Sequence, residues 1–196
     1  MGNRGGPLHN NEREIVRTYK SKCWLTCRLE FNGRHRIVMS PRRYTELFFL
    51  DEAVAFAAGH RPCAECRRGR YKAFKDAWRR RTQSNTRDLR ASEIDAELHR
   101  ARIDERRKKL TYESPLGSLP TGCFVEIDSA AYLIWGQALL LWTPERYAQS
   151  RRWVNDLIVT VLTPRPIVEC FGQGYEPEIH ASARDLDMLH SASPIR

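Results

Sequence analysis

The sequence predicts an α+β protein in three parts: a small cysteine-bearing module, a helical middle segment, and a small antiparallel β-barrel or sandwich. Three observations predict it. Two close cysteine pairs, Cys23/Cys27 and Cys63/Cys66, flank a hairpin signal at Asn32-Gly33. An aromatic stripe at helical spacing, Tyr71, Phe74 and Trp78, follows the second pair. After Pro115 the period changes to short apolar runs between turn residues, as strands require.

Taken in order, residues 1–18 are Gly-rich and then charged, with little to bury, and read as a flexible arm. The cysteine-bearing module covers 19–82. Within it Leu29 and Phe31 alternate with Arg28, Glu30 and Asn32. Asn32-Gly33 then signals a hairpin, because a type I′ turn needs positive φ at both central residues. The return strand is expected over 36–39, and a short buried strand over 46–50. Asp51 is placed to cap a helix that ends at Gly59, where a left-handed residue is wanted. Pro62 suits the first turn of the next helix, running to Arg81, because it leaves no amide unpaired.

Residues 83–114 form a basic helical segment. Ser92 and Asp95 sit in a capping arrangement, and Ile94, Leu98 and Ile103 give an apolar face. In the β-rich module, 115–182, strands are expected over 124–128, 131–134, 139–142 and 157–162. Turns fall at Ser129-Ala130 and Gly136-Gln137. An edge strand is expected over 171–180, and 183–196 is a loosely held tail.

The chain has 196 residues, five of them Trp, and is 41% hydrophobic, which suffices for a real core. No run approaches the roughly 18 apolar residues that cross a bilayer. The polar first residues do not resemble a signal peptide, so the chain is expected in the cytoplasm. In that reducing compartment six cysteines are thiols or metal ligands rather than disulfides. The net charge is +9, and the surplus concentrates between Arg61 and Lys109. A polyanion partner is therefore expected, DNA favoured over RNA. Arg61, Arg67, Arg68, Arg70, Lys72, Arg79 and Arg80 are the candidate phosphate contacts. A solvated helix face is the plainer alternative.

Cys63-Ala64-Glu65-Cys66 places two thiols at the start of a helix, where free amides and the helix dipole favour anionic sulfur. Cys23 and Cys27 form a second knuckle. A knuckle, a hairpin and a helix carrying the second pair is the order of a treble-clef zinc finger. Four thiolates would close a tetrahedral structural site around one zinc ion. The expected metal ligands are Cys23, Cys27, Cys63 and Cys66, with His9, His35 or His60 as alternatives to Cys23.

The stretch from Phe48-Phe49-Leu50-Asp51-Glu52-Ala53 through Ala57-Ala58-Gly59-His60-Arg61-Pro62-Cys63-Ala64-Glu65-Cys66-Arg67 follows an upstream C-x3-C pair. Over about residues 19–70 it resembles the metal-binding domain of the Ada DNA-alkylation-repair family. The Gly-x-Arg-Pro-Cys-x-x-Cys core is the specific part. The resemblance implies four zinc-bound cysteines, the first of which, Cys23 here, accepts a methyl group from a DNA phosphotriester. A zinc-bound thiolate is a nucleophile suited to that step. The Thr-Gly-aromatic lead-in of that family is absent before Cys23, and the segment between the pairs is longer here.

Asp95 and His99, at i, i+4 on an expected helix, are a candidate acid/base pair, with a surface pair as the plainer reading. Cys123 and Cys170 read as packing residues. Trp135, Trp142, Tyr147 and Trp153 read as core or as the walls of a ligand pocket. Three functions follow. The favoured one is a zinc-stabilised nucleic-acid-binding protein. The second is an enzyme, either a methyl acceptor at Cys23 or a nucleic-acid-processing enzyme using Asp95 and His99. The third is a zinc-stabilised adaptor whose β-rich module binds a protein partner.

Overall fold

A computed structural model describes residues 1–33, 37–83, 89–153 and 157–191. The fold is α+β. Its first sheet is built from two-residue strands, β1 (Gly2–Asn3), β2 (Leu25–Thr26) and β3 (Arg61–Pro62), in the order β1-β2-β3. β1 runs antiparallel to β2, and β3 runs parallel to it. The first eighteen residues, expected as an arm, thus begin with a paired strand, and Leu8 is buried at 2% exposure.

Asn32 and Gly33 take the positive φ values, 53° and 63°, that the hairpin signal calls for. No strand flanks them among the described residues. Arg36, where the return strand was expected to start, lies outside the described residues, and Val38 and Met39 are turn residues. The strand expected over 46–50 is reduced to one bridge between Gly2 and Leu47, with Phe48 exposed. The two-residue β1 offers too short a partner for more.

Helix α1 (Glu52–Ala57) starts as its sequence dictates: the Asp51 carboxylate accepts from the Val54 amide at 2.9 Å. Gly59 closes it with φ 79°, and a Cβ there would also strike Arg102. Helix α2 (Arg68–Thr82) starts after the second cysteine pair rather than at Pro62, which belongs to β3. Helix α3 (Ala91–Arg102) is capped differently from expectation. The Glu93 carboxylate accepts from the Arg90 amide at 2.7 Å, in place of a Ser92–Asp95 arrangement.

The second sheet comprises β4 (Tyr112–Pro115), β5 (Phe124–Ile127), β6 (Ala130–Trp135), β7 (Ala138–Trp142), β8 (Tyr147–Arg152) and β9 (Ile158–Val161). It is antiparallel throughout, in the order β4-β9-β5-β6-β7-β8. It is an open sheet, not a closed barrel, because helices cover both faces. Side chains alternate in period two. Val125, Ile134, Leu139 and Val161 meet Phe74 and Trp78 of α2, Ile94 and Leu98 of α3, and helix α4 (Arg165–Gly172). Phe124, Leu133, Leu140 and Tyr147 meet Ala53 and Ala57 of α1, and Ala183 of helix α5 (Ala181–Ser191). Residues from all three expected modules therefore share the first core.

The turn expected at Ser129-Ala130 falls at Asp128-Ser129, with φ 51° and 61°. The edge strand expected over 171–180 is instead the end of α4 and the connection to α5. Pro166 sits in the first turn of α4, and Ile167, Val168, Cys170 and Phe171 are buried along it. The tail expected from 183 onward begins inside α5. No helix among the described residues is long and apolar enough to cross a membrane.

Candidate metal centre and the basic residues around it

The register of the first sheet builds the site. Leu25 pairs with Arg61 and Thr26 with Pro62, so the next residues, Cys27 and Cys63, leave the sheet side by side. The Cys63 amide donates to the Thr26 carbonyl at 3.0 Å. The chain then turns through Cys66 into α2, and the Arg67 amide donates back to the Cys63 carbonyl at 3.1 Å. The Sγ atoms of Cys27, Cys63 and Cys66 all lie within 4.8 Å of one another. Around them, the Arg28 amide donates to Cys66 Sγ at 3.4 Å, and Asn3 Nδ2 donates to Cys27 Sγ at 3.8 Å.

The thiols share their protons unequally. The hydrogen bond from Cys27 pulls Cys63 down to about 5, against the effect of burial and with help from the amides of Cys66 and Glu65. The same bond, together with burial, pushes Cys27 up. Three sulfurs this close hold more negative charge than the site tolerates without either a proton or a cation. The donor set is thus that of a possible metal site.

Cys23 stands apart from this cluster. The strand Leu25–Thr26 lies between it and Cys27, and its sulfur is not among the three that lie within 4.8 Å of one another. Cys23 Sγ instead accepts from Arg61 Nη2 at 3.7 Å, and burial pushes the thiol up to about 11. Nor do the described histidines join the three thiols. His9 bonds Thr45 Oγ1 at 2.6 Å. His60, fully buried, packs between Trp24 and Phe49, and burial holds its imidazole well below the usual range. His35 lies outside the described residues.

Asp95 and His99 do not face each other as an acid/base pair. Asp95 accepts from Arg61 Nε and Nη2, both at 2.7 Å, with both side chains buried. His99 Nδ1 lies 3.0 Å from Arg102 Nη2, and its ring packs on Tyr19.

The candidate phosphate contacts divide into two sets. Arg61 is buried on Asp95. Arg67 pairs with Glu52 and Glu178. Arg70 pairs with the buried Glu52 at 2.5 Å and donates to the Glu176 carbonyl. Arg79 pairs with Asp76, and Arg80 donates to the Gln173 carbonyl. Arg61 thus ties β3 to α3, and Arg67, Arg70 and Arg80 tie α2 to α1 and to the segment after α4. Arg68 and Lys72 remain exposed, and Lys75, half-buried, continues their line at i, i+4, i+7. None of these three has an ion-pair partner among the described residues.

Sequence reasoning missed Arg102, which is 2% exposed at the end of α3. Its guanidinium lies 3.7 Å from the Trp24 ring centre, and Arg4 covers the ring at 3.9 Å. A signal was present: Arg102 continues the buried line of Ile94 and Leu98 at four-residue spacing. No family model matches this chain, and no curated protein or solved structure matches it.

Proposed function

We propose that this protein binds one zinc ion through Cys27, Cys63 and Cys66, and that the module so pinned holds nucleic acid by its phosphates. The observation that carries the reading is the three Sγ atoms within 4.8 Å of one another. Tetrahedral zinc with bonds of about 2.3 Å to sulfur sets neighbouring sulfurs roughly 3.8 Å apart, so these thiols need only small shifts. Soft thiolates suit zinc over magnesium or calcium. The order of knuckle, short strand and helix is in keeping with a treble-clef finger, and with the resemblance to the Ada metal-binding domain at three of its four cysteines. The ion would tie β2, β3 and α2 together.

The nucleic-acid part of the reading rests on the line Arg68, Lys72 and Lys75, which starts two residues after Cys66 and has no ion-pair partner among the described residues. Exposed Arg28 stands beside it, its backbone on the Cys66 sulfur. Cations without carboxylate partners are free to exchange counterions for phosphates.

The test is zinc content by elemental analysis, with binding to labelled duplex DNA, single-stranded DNA and RNA over a salt titration. One zinc per chain is expected, kept by Cys23→Ser and lost by Cys63→Ser. Affinity should fall steeply with salt, and Arg68→Gln with Lys72→Gln should reduce the salt slope by about 2. Zinc-free protein after chelator-free purification would refute the metal site. A salt-independent or absent affinity would refute the phosphate contacts.

A further inference from the structure

A cavity of about 390 Å³ lies between α1, one face of the second sheet and the end of α3. It shares no lining residue with the three thiols. One end is hydrocarbon, formed by Val54, Ala57, Ala131, Leu162 and the rings of Phe124 and Trp142. The other end carries Arg4, Arg102, Arg107 and Lys109, and no acidic side chain among the described residues lines the cavity. None of these four cations has an ion-pair partner among the described residues.

Two buried donors in the lining lack acceptors. Arg102 places Nη1 on the Gly59 carbonyl at 2.8 Å and Nη2 on the Lys22 carbonyl at 2.7 Å, yet its Nε is buried without a partner. Trp142 Nε1 is likewise buried without a partner. Both nitrogens are closed off from the cavity itself, so what these residues present to it is the rest of their side chains. A volume in the small-molecule range, about 300–1,000 Å³, with an apolar body and convergent polar groups, is the usual make-up of a ligand site.

We propose that this cavity binds a small organic anion, its carboxylate-type head on the Arg102 and Lys109 end and its apolar body against Phe124, Ala131 and Trp142. The ligand must match the wall: negative charge at the cationic end and hydrocarbon at the apolar end. Burial pushes the Arg102 guanidinium down to about 9 and that of Arg4 to about 10, so a bound anion would restore charge balance there. The site is independent of the metal and nucleic-acid reading.

The experiment is calorimetric titration of the full chain with dodecanoate and 2-naphthoate, each against its neutral alcohol, and with inorganic phosphate. Both the acyl and the aryl carboxylate are organic anions, and whichever binds tighter names the shape of the body. At least one carboxylate is expected to bind about tenfold or more tighter than its alcohol, and phosphate alone not to bind at this site. Lys109→Met, at an exposed position, should weaken carboxylate binding about tenfold. Ala131→Trp should abolish it by filling the apolar end. Equal affinity for acid and alcohol, phosphate binding as tightly as carboxylate, or unchanged binding by Ala131→Trp would each overturn the assignment.

Discussion

Arg61 joins the cysteine-bearing region to α3. From β3 its guanidinium grips Asp95 on α3 with two bonds of 2.7 Å, and it reaches Cys23 as well. Removing one member of a buried pair strands the other's charge, so Arg61→Met should destabilise the protein by about 3–5 kcal/mol. Replacing both, as Arg61→Met with Asp95→Leu, should cost much less. Urea unfolding of the two variants checks this, and a double variant as unstable as the single would refute it. In the sequence Arg61 looked like a phosphate contact. Charge is visible in a sequence and burial is not, and the same blindness hid Arg102. Only position relative to the apolar face distinguishes a structural cation from a surface one. Arg68 and Lys72 lie off that face and stay exposed.

At the scale of elements, the cap of α1 does more than start a helix. One Asp51 oxygen accepts from the Val54 amide. The other accepts from the Tyr147 hydroxyl at 2.7 Å and the His180 amide at 3.0 Å, linking α1 to β8 and to the approach of α5. Asp51→Ala should lose about 1–2 kcal/mol for the cap alone, and more for the freed hydroxyl. Tyr147→Phe should lose only about 1 kcal/mol, since it removes donor and need together. Denaturation midpoints that ranked the two the other way would disprove the shared role. Asp51, Gly59 and the strands from β5 to β7 were legible because each carries a local signal. β8 was not: Tyr147-Ala148-Gln149-Ser150-Arg151-Arg152 has no apolar alternation, and it forms a strand because Leu139 to Leu141 offer it a ladder. In α4 the β-branched pair Ile167-Val168 and nearby Phe171 imitate a strand, yet they bury one helical face.

Over the whole molecule, the three-thiol cluster would give a bound cation an affinity that depends on pH in a definite direction. Without an ion Cys63 gives up its proton near 5 while Cys27 keeps its own well above neutrality. Binding a cation at pH 7 must then expel at least the Cys27 proton, so affinity rises with pH. Below about 5 Cys63 competes for a proton too, and the loss becomes steeper. Zinc affinity measured by competition with a chromophoric chelator between pH 5 and 8 should therefore increase monotonically, and a flat profile would contradict the thiolate ligand set. At this scale the sequence revealed the α+β class and three cysteines that the structure brings together. It did not reveal that the sheet is open and covered on both faces, because that depends on helices α4 and α5, and the apolar run of α4 reads as a strand. Nor did it reveal that Cys23 lies outside the group of three thiols, with its sulfur on Arg61.

The parallel pair β2–β3 joins strands that are two residues long yet distant in the chain, so their hydrogen bonds return little for the chain freedom that pairing removes. An ion bridging Cys27 to Cys63 would act as a cross-link across that long loop. By the chain-entropy relation for cross-links it would be worth roughly 4 kcal/mol, mostly by narrowing the unfolded ensemble. On this view the metal is a late staple on a fold whose second sheet can assemble first, from hairpins of nearby strands.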